Sequence, residues 1–180
     1  MRLVRSFPEQ VPEGRNYVVD DAPRLLNRDH DYRGLINLAD DVIQLDWDTA
    51  VSREDLETFA KRTRSNPDRV LVAPVLVYPS RKRRGLTTPV WNVRRYLPGG
   101  QAMRYCTPQD TGAHLFGFGM VYLPAELLAG FARVLGSPQF PRFGDMEFAG
   151  WHHRHVTPEA EIAWDVRPVH VHYRISEVPL

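Results

Sequence analysis

Val42-Ile43-Gln44-Leu45-Asp46-Trp47-Asp48 is an apolar run that ends in two carboxylates separated by one aromatic. Such a run reads as a buried strand whose end reaches the surface. Side chains alternate along a strand, so Asp46 and Asp48 point to one side if the extended geometry persists. Two like charges at one strand end repel, and are best tolerated with positive charge between them. A divalent cation carrying a phosphate meets that need, because hard cations take oxygen ligands and bridge to phosphate oxygens.

Downstream, Ser52 is a good helix N-cap, with Asp55 three residues on as an imperfect capping box. Leu56, Phe59 and Ala60 give the segment Glu54 to Arg64 an apolar stripe, and Asn66-Pro67-Asp68 ends it. Val70 to Tyr78 is a second apolar, β-rich run, in which Pro74 argues for a bulge or an edge position. Upstream, Arg33 to Ala39 reads as a short helix. Arg2 to Phe7 reads as a first strand stopped by Pro8, and Asn16 to Val19 as a second, ending at Asp20-Asp21. Strand, helix, strand is the order of a parallel α/β sheet. Ligands in such sheets gather beyond the carboxyl ends of the strands, where Asp46 and Asp48 fall.

Further along, Arg81-Lys82-Arg83-Arg84 is a basic run, read as a solvated face or a polyanion contact. Residues 86 to 112, with several prolines, glycines and threonines, read as a long loop. Gly117 to Leu123 is a glycine-entered strand, and Pro124 starts a helix at its first position (Ala125 to Val134). Asp145 to Trp151 reads as a short helix. Ile162 to Val166 and Val169 to Tyr173 read as late strands.

The 180 residues fit one domain, residues 1–180, with room for a substantial core. The net charge of +1 supplies no global basic field for nucleic acid. The single cysteine, Cys106, excludes an internal disulfide and a cysteine zinc cage. That usage, with no early apolar segment like a signal peptide and no run long enough for a membrane span, leads us to expect a cytoplasmic protein.

Three more groups could carry chemistry. Gly144-Asp145-Met146-Glu147 sets two carboxylates at a helix start, where they serve either the helix dipole or, tuned by burial, as a general base. His170-x-His172 places two imidazoles on one strand face, for packing or for a metal or phosphate. Trp151-His152-His153-Arg154-His155 suits zinc by ligand type but poorly by spacing, and reads as a solvated or acceptor-facing loop.

In this order the pieces resemble a glycosyltransferase of the GT-A type, over roughly Arg33 to Tyr173. Val42 to Asp48 resembles the strand and D-x-D motif of that family. Gly117 to Tyr122 resembles its glycine-led strand beside the donor sugar. Gly144 to Glu147 with Trp151 resembles its acidic segment, and Val169 to His172 its late strand with a metal-binding histidine. The compactness and arginine bias resemble small members from bacteriophages and actinobacteria.

The resemblance implies a compact α/β fold for nucleotide-diphosphate-sugar transfer, with a mostly parallel central sheet flanked by helices. It implies transfer of a hexosyl or N-acetylhexosaminyl group to an acceptor hydroxyl on a glycan, a protein or a modified nucleobase. Mn²⁺ or Mg²⁺ would be held by Asp48 and Asp46 with His172 or, second, His170. Asp145 would be the base, with Glu147 on donor hydroxyls or exchanging roles with it. Gly119, Trp91 and Trp151 would line the donor site, and Arg81 to Gly112 would form a lid. With 45 residues before Asp46, base recognition would fall to Arg2–Phe7 or Asn16–Asp20. A metal-dependent phosphoesterase or nucleotide-sugar hydrolase, and a non-catalytic carbohydrate- or nucleotide-binding module, are the alternatives.

Overall fold

The computed structural model describes residues 1–11, 17–18, 20–28, 30–77, 89–100 and 102–171. In chain order the strands begin with β1 (Arg2–Pro8), β2 (Arg24–Asn27), β3 (Val42–Asp46) and β4 (Thr49–Ala50). Helix α1 (Arg53–Ser65) precedes β5 (Leu71–Ala73), β6 (Leu76–Val77), β7 (Val90–Trp91), β8 (Val93–Tyr96) and β9 (Met103–Tyr105). Then come β10 (Gly112–Ala113), β11 (Leu115–Phe116), β12 (Met120–Leu123), helices α2 (Ala125–Ala132) and α3 (Asp145–His155), β13 (Ala160–Ile162) and β14 (Val169–His170). A 3-10 turn covers Arg33–Leu38.

Seven strands form the central sheet in the order β10-β13-β5-β12-β3-β1-β2. The pairs β2–β1, β1–β3 and β13–β5 are parallel. β12 runs antiparallel between β3 and β5, and β10 runs antiparallel at the far edge. The sheet is therefore mixed, with most strands pointing one way.

Strand alternation sorts the apolar residues onto two faces. Ile43, Leu45, Leu71, Ala73, Met120 and Tyr122 meet Phe59 of α1. Val42, Val72, Val121 and Leu123 belong to the larger core with Leu128 and Phe131 of α2 and Phe148 of α3. Helices thus cover both faces, and Asp46, in step with Val42 and Gln44, lies in phase with the face that carries α3. Helix α1 starts where the sequence indicates. The Asp55 amide donates to Ser52 Oγ at 3.0 Å, and the Ser52 hydroxyl donates to Asp55 Oδ2 at 2.8 Å.

The structure corrects several expectations. The second strand is Arg24–Asn27, whereas the described residues of Asn16–Val19 are not strand. Pro74 marks the point where the chain leaves the central sheet, since β6 pairs with β7 instead. The supposed loop between 89 and 112 contains β7 to β10, with Val93 and Cys106 fully buried. That part of the expected lid is packed structure, and Arg81 to Arg84 lie outside the described residues. Pro124 is the N-cap of α2, not its first helical residue. His152, His153 and His155 sit within α3, not in a loop. No helix among the described residues is long and apolar enough to cross a membrane.

Candidate functional site

Extended geometry ends at Asp46: Trp47 and Asp48 form a turn, so strand alternation no longer sets their relative directions. The turn is held from beneath by Arg5, which is 1% exposed. Its Nη1 donates to the carbonyl oxygens of Asp46 at 2.6 Å and Thr49 at 2.7 Å, and its Nη2 donates to Asp20 Oδ2 at 2.5 Å. One buried guanidinium therefore closes both ends of the acidic turn and draws in Asp20.

Asp46 and Asp48 stay within electrostatic reach of each other, and Asp145 joins them from α3. Burial, then Asp48, then Asp145 push the Asp46 carboxyl well above the usual carboxylate range, against the amide of Trp47 and the charge of Arg5. Burial raises Asp145 as well, with the Met146 amide, which donates at 2.7 Å, and His30 opposing it. Tyr32 completes the cluster: burial and the three aspartates raise its phenol, and the Asn27 side chain hydrogen-bonds it. β3 thus delivers Asp46 at its last residue, the turn after it delivers Asp48, and α3 delivers Asp145 at its first residue.

Small residues make the close approach possible. A Cβ on Gly117 would lie 3.0 Å from Asn92 Nδ2 and 3.5 Å from Asp145 Oδ2. A Cβ on Gly119 would lie 2.8 Å from Val75 Cγ2, and the Gly119 carbonyl accepts from the Asp46 amide at 2.9 Å. Asn92 is clamped to Val75 by two bonds, its Oδ1 accepting from the Val75 amide at 2.8 Å and its own amide donating to the Val75 carbonyl at 3.0 Å. Its Nδ2 end and the Asp145 carboxylate both lie against Gly117.

The remaining expected site residues divide. Glu147 stays near Asp145, but Arg142 donates to it at 2.9 Å and its carboxylate folds back over Gly144. His170 pairs with Thr49 across β14 and β4, and the Val171 amide donates to the Asp48 carbonyl at 2.8 Å. That strand therefore does run beside the acidic turn, while His172 lies outside the described residues. Trp91 packs edge-on against Trp164 at 5.5 Å. Trp151 is buried against Phe131 and Phe148. Neither indole is brought to the aspartates by these contacts. Among the described residues no three His, Cys, Asp or Glu side chains are already arranged to hold a metal ion.

A cavity of about 320 Å³ adjoins the turn at the carboxyl ends of β1 and β2, lined by Pro8, Gln10, Asn27, Arg28, His30 and Trp47. Asn27 is 5% exposed, and its Oδ1 has no hydrogen-bond partner among the described residues. His30 adopts a left-handed backbone (φ 58°). Arg5, Asn27, His30, Tyr32 and Asn92 were not singled out from the sequence. Arg5 alone carried a usable signal, as a charge set between the apolar Leu3-Val4 and Phe7 of one strand.

No family model matches this chain, and no curated protein matches it. The fold is similar to the crystal structure of A197 from STIV, with a TM-score of 0.55 and 14% sequence identity over 93% of this chain and 84% of that one. At that identity the likeness extends to the mixed α/β architecture.

Proposed function

We propose that this chain is a metal-dependent glycosyltransferase of the GT-A type, moving a sugar from a nucleotide-diphosphate sugar to an acceptor hydroxyl. The observation that carries this reading is the convergence of Asp46 and Asp48 with Asp145, distant from them in sequence, beside a cavity at the carboxyl edge of the sheet. Like charges concentrated at one place are unfavourable unless a cation or proton offsets them, and burial, with Asp48 and Asp145 adding to it, pushes the Asp46 carboxyl well above the usual carboxylate range.

Carboxylate oxygens are the donor type that a hard divalent ion takes. Asp48 and Asp46 would hold it, with His170 or His172 adding a nitrogen ligand, which favours Mn²⁺ over Mg²⁺. Bound there, the ion supplies positive charge to the diphosphate leaving group. The cavity would take the nucleoside, with the unsatisfied Asn27 Oδ1 and the Trp47 ring as recognition elements. Asp145, raised by burial, suits a general base. It would take the proton from the acceptor hydroxyl as the new carbon–oxygen bond forms and the bond to the diphosphate breaks, the electron pair leaving on the diphosphate. Glu147 is occupied by Arg142.

A thermal-shift series of nucleoside diphosphates and nucleotide sugars, with and without Mn²⁺, tests the reading. A metal-dependent rise in melting temperature that Asp48→Asn abolishes is the expected result. No shift with any nucleotide defeats the proposal, and turnover to free sugar alone favours a hydrolase.

A further inference from the structure

β8, β11 and α3 lead away from the three carboxylates side by side. At the near end Asn92, Gly117 and Asp145 meet. At the far end Tyr96, His114 and His153 stack, with centroids 4.2 Å apart for the two imidazoles and 4.9 Å for Tyr96 and His153. Eight helical steps separate Asp145 from His153, about 12 Å. Four strand steps separate Asn92 from Tyr96, about 13 Å. The two lengths agree, so the far cluster stands one short molecular span from the proposed base.

A cavity of about 730 Å³ opens at this far end, lined by Arg95, Tyr96, Arg104, His114, His153 and Arg154. Its charges are ordered. Arg104 grips Asp110 with two bonds of 2.7 and 2.6 Å, and Arg95 donates to Glu159 at 3.1 Å. His114 Nδ1 accepts from the Tyr96 amide at 2.9 Å, which puts its proton on Nε2, facing Glu159 at 2.6 Å. Three guanidinium groups thus face two carboxylates. Arg154 has no carboxylate partner among the described residues and lies over the Phe140 ring at 5.4 Å. Gly150, one turn before it, keeps the floor of the cavity low, since a Cβ there would approach only Arg154 Nη2, at 3.9 Å.

A guanidinium without a carboxylate partner, beside the His153 imidazole and a phenol ring, is the chemistry that binds phosphate. We propose that this cavity holds a phosphate group carried by the acceptor, roughly 12 Å from the hydroxyl that Asp145 deprotonates. The acceptor role rests on the transferase reading, whereas the anion site rests on the cavity alone.

The test titrates phenyl phosphate into the full chain and follows the ring signals of His114 and His153 by NMR. Both are expected to move in a saturable way, and Arg154→Gln is expected to bind about tenfold more weakly, losing one charge-assisted contact. Arg154 is exposed on the last turn of α3, and a thermal melt checks that the variant is folded. Dimethyl phosphate, run in parallel, separates a monoester from a phosphodiester source, the monoester being favoured if it binds more tightly. Unmoved ring signals, or equal affinity in the Arg154 variant, would overturn the site. Should nucleoside diphosphates fail to bind with Mn²⁺ while phenyl phosphate still moves the rings, the acceptor role is overturned and the anion site stands.

Discussion

Arg5 and Asp46 are joined through the backbone: the guanidinium of Arg5 donates to the carbonyl oxygen of Asp46, not to its carboxylate. The side chain of Asp46 is thus left to the cluster it shares with Asp48 and Asp145, while its main chain is fixed. Replacing Arg5 by Met would leave the carbonyls of Asp46 and Thr49 without the guanidinium donor and the Asp20 carboxylate with the Ala22 amide alone among the described residues. The expected cost is about 3–5 kcal/mol, read from urea denaturation. Arg5→Lys keeps the charge but not the fork, so it should be less destabilised while still loosening the acidic turn.

The pH response of cation binding follows from the raised carboxyl of Asp46. Between the ordinary carboxylate range and its higher folded value, the native state holds a proton that the unfolded chain has lost. Through that window stability without metal falls as pH rises, and Asp46→Asn should flatten the fall. A divalent ion bound as proposed would have to displace the same proton. Titration calorimetry of Mn²⁺ in two buffers of different ionisation enthalpy should therefore report proton release, with affinity increasing as pH rises.

His152 gives an opposite slope. It is 1% exposed between Phe116 and Phe148, and burial lowers its imidazole to about 4. From its ordinary value near 6.5 down to about 4, the unfolded chain binds the proton and the native state does not, so stability falls as pH falls. The full loss is on the order of 3 kcal/mol. The difference between wild type and His152→Phe, followed by chemical denaturation across that interval, should carry this slope, because the other groups cancel.

Gly119→Ala places a methyl group 2.8 Å from Val75 Cγ2, a stiff β-branched side chain that cannot swing away. A stability loss of about 1–3 kcal/mol is expected. Because the Gly119 carbonyl accepts from the Asp46 amide, nucleotide affinity in the presence of Mn²⁺ should weaken as well. A melt with and without the nucleotide separates the two effects.

Asp145→Asn separates catalysis from binding. It should abolish transfer while leaving the metal-dependent nucleotide shift in place, since Asp46 and Asp48 are untouched. A coupled assay for released nucleoside diphosphate, read beside the melting curves, checks both.

Much of this arrangement was legible wherever local chemistry and tertiary structure agree. The strand Val42–Asp46, the capped start of α1 at Ser52 and the helix beginning at Asp145 are all written in side-chain order. β2 was hidden because Arg24–Asn27 lies at a sheet edge, with Leu26 exposed and no clean alternation. β8 and β9 were hidden because Val93-Arg94-Arg95-Tyr96 and Met103-Arg104-Tyr105 are held by cross-strand contacts, such as Arg94 over the Tyr105 ring at 4.9 Å, and not by apolar runs. Asn92 and Tyr32 owe their place near the aspartates to packing between distant segments, which no spacing rule encodes. Trp151 lies in the core, and Trp91 packs partly buried against it.

The antiparallel insertion of β12 has a consequence for biosynthesis. It alone joins β3 to β5, through pairs such as Gln44 with Val121, 77 positions apart. A nascent chain that has not yet released Leu123 from the ribosome carries two apolar strands with open edges, templates for pairing with neighbouring polypeptides. Assembly must wait for a long loop to close, so refolding should be slow for a chain of this size, and chaperone protection matters most before that segment emerges.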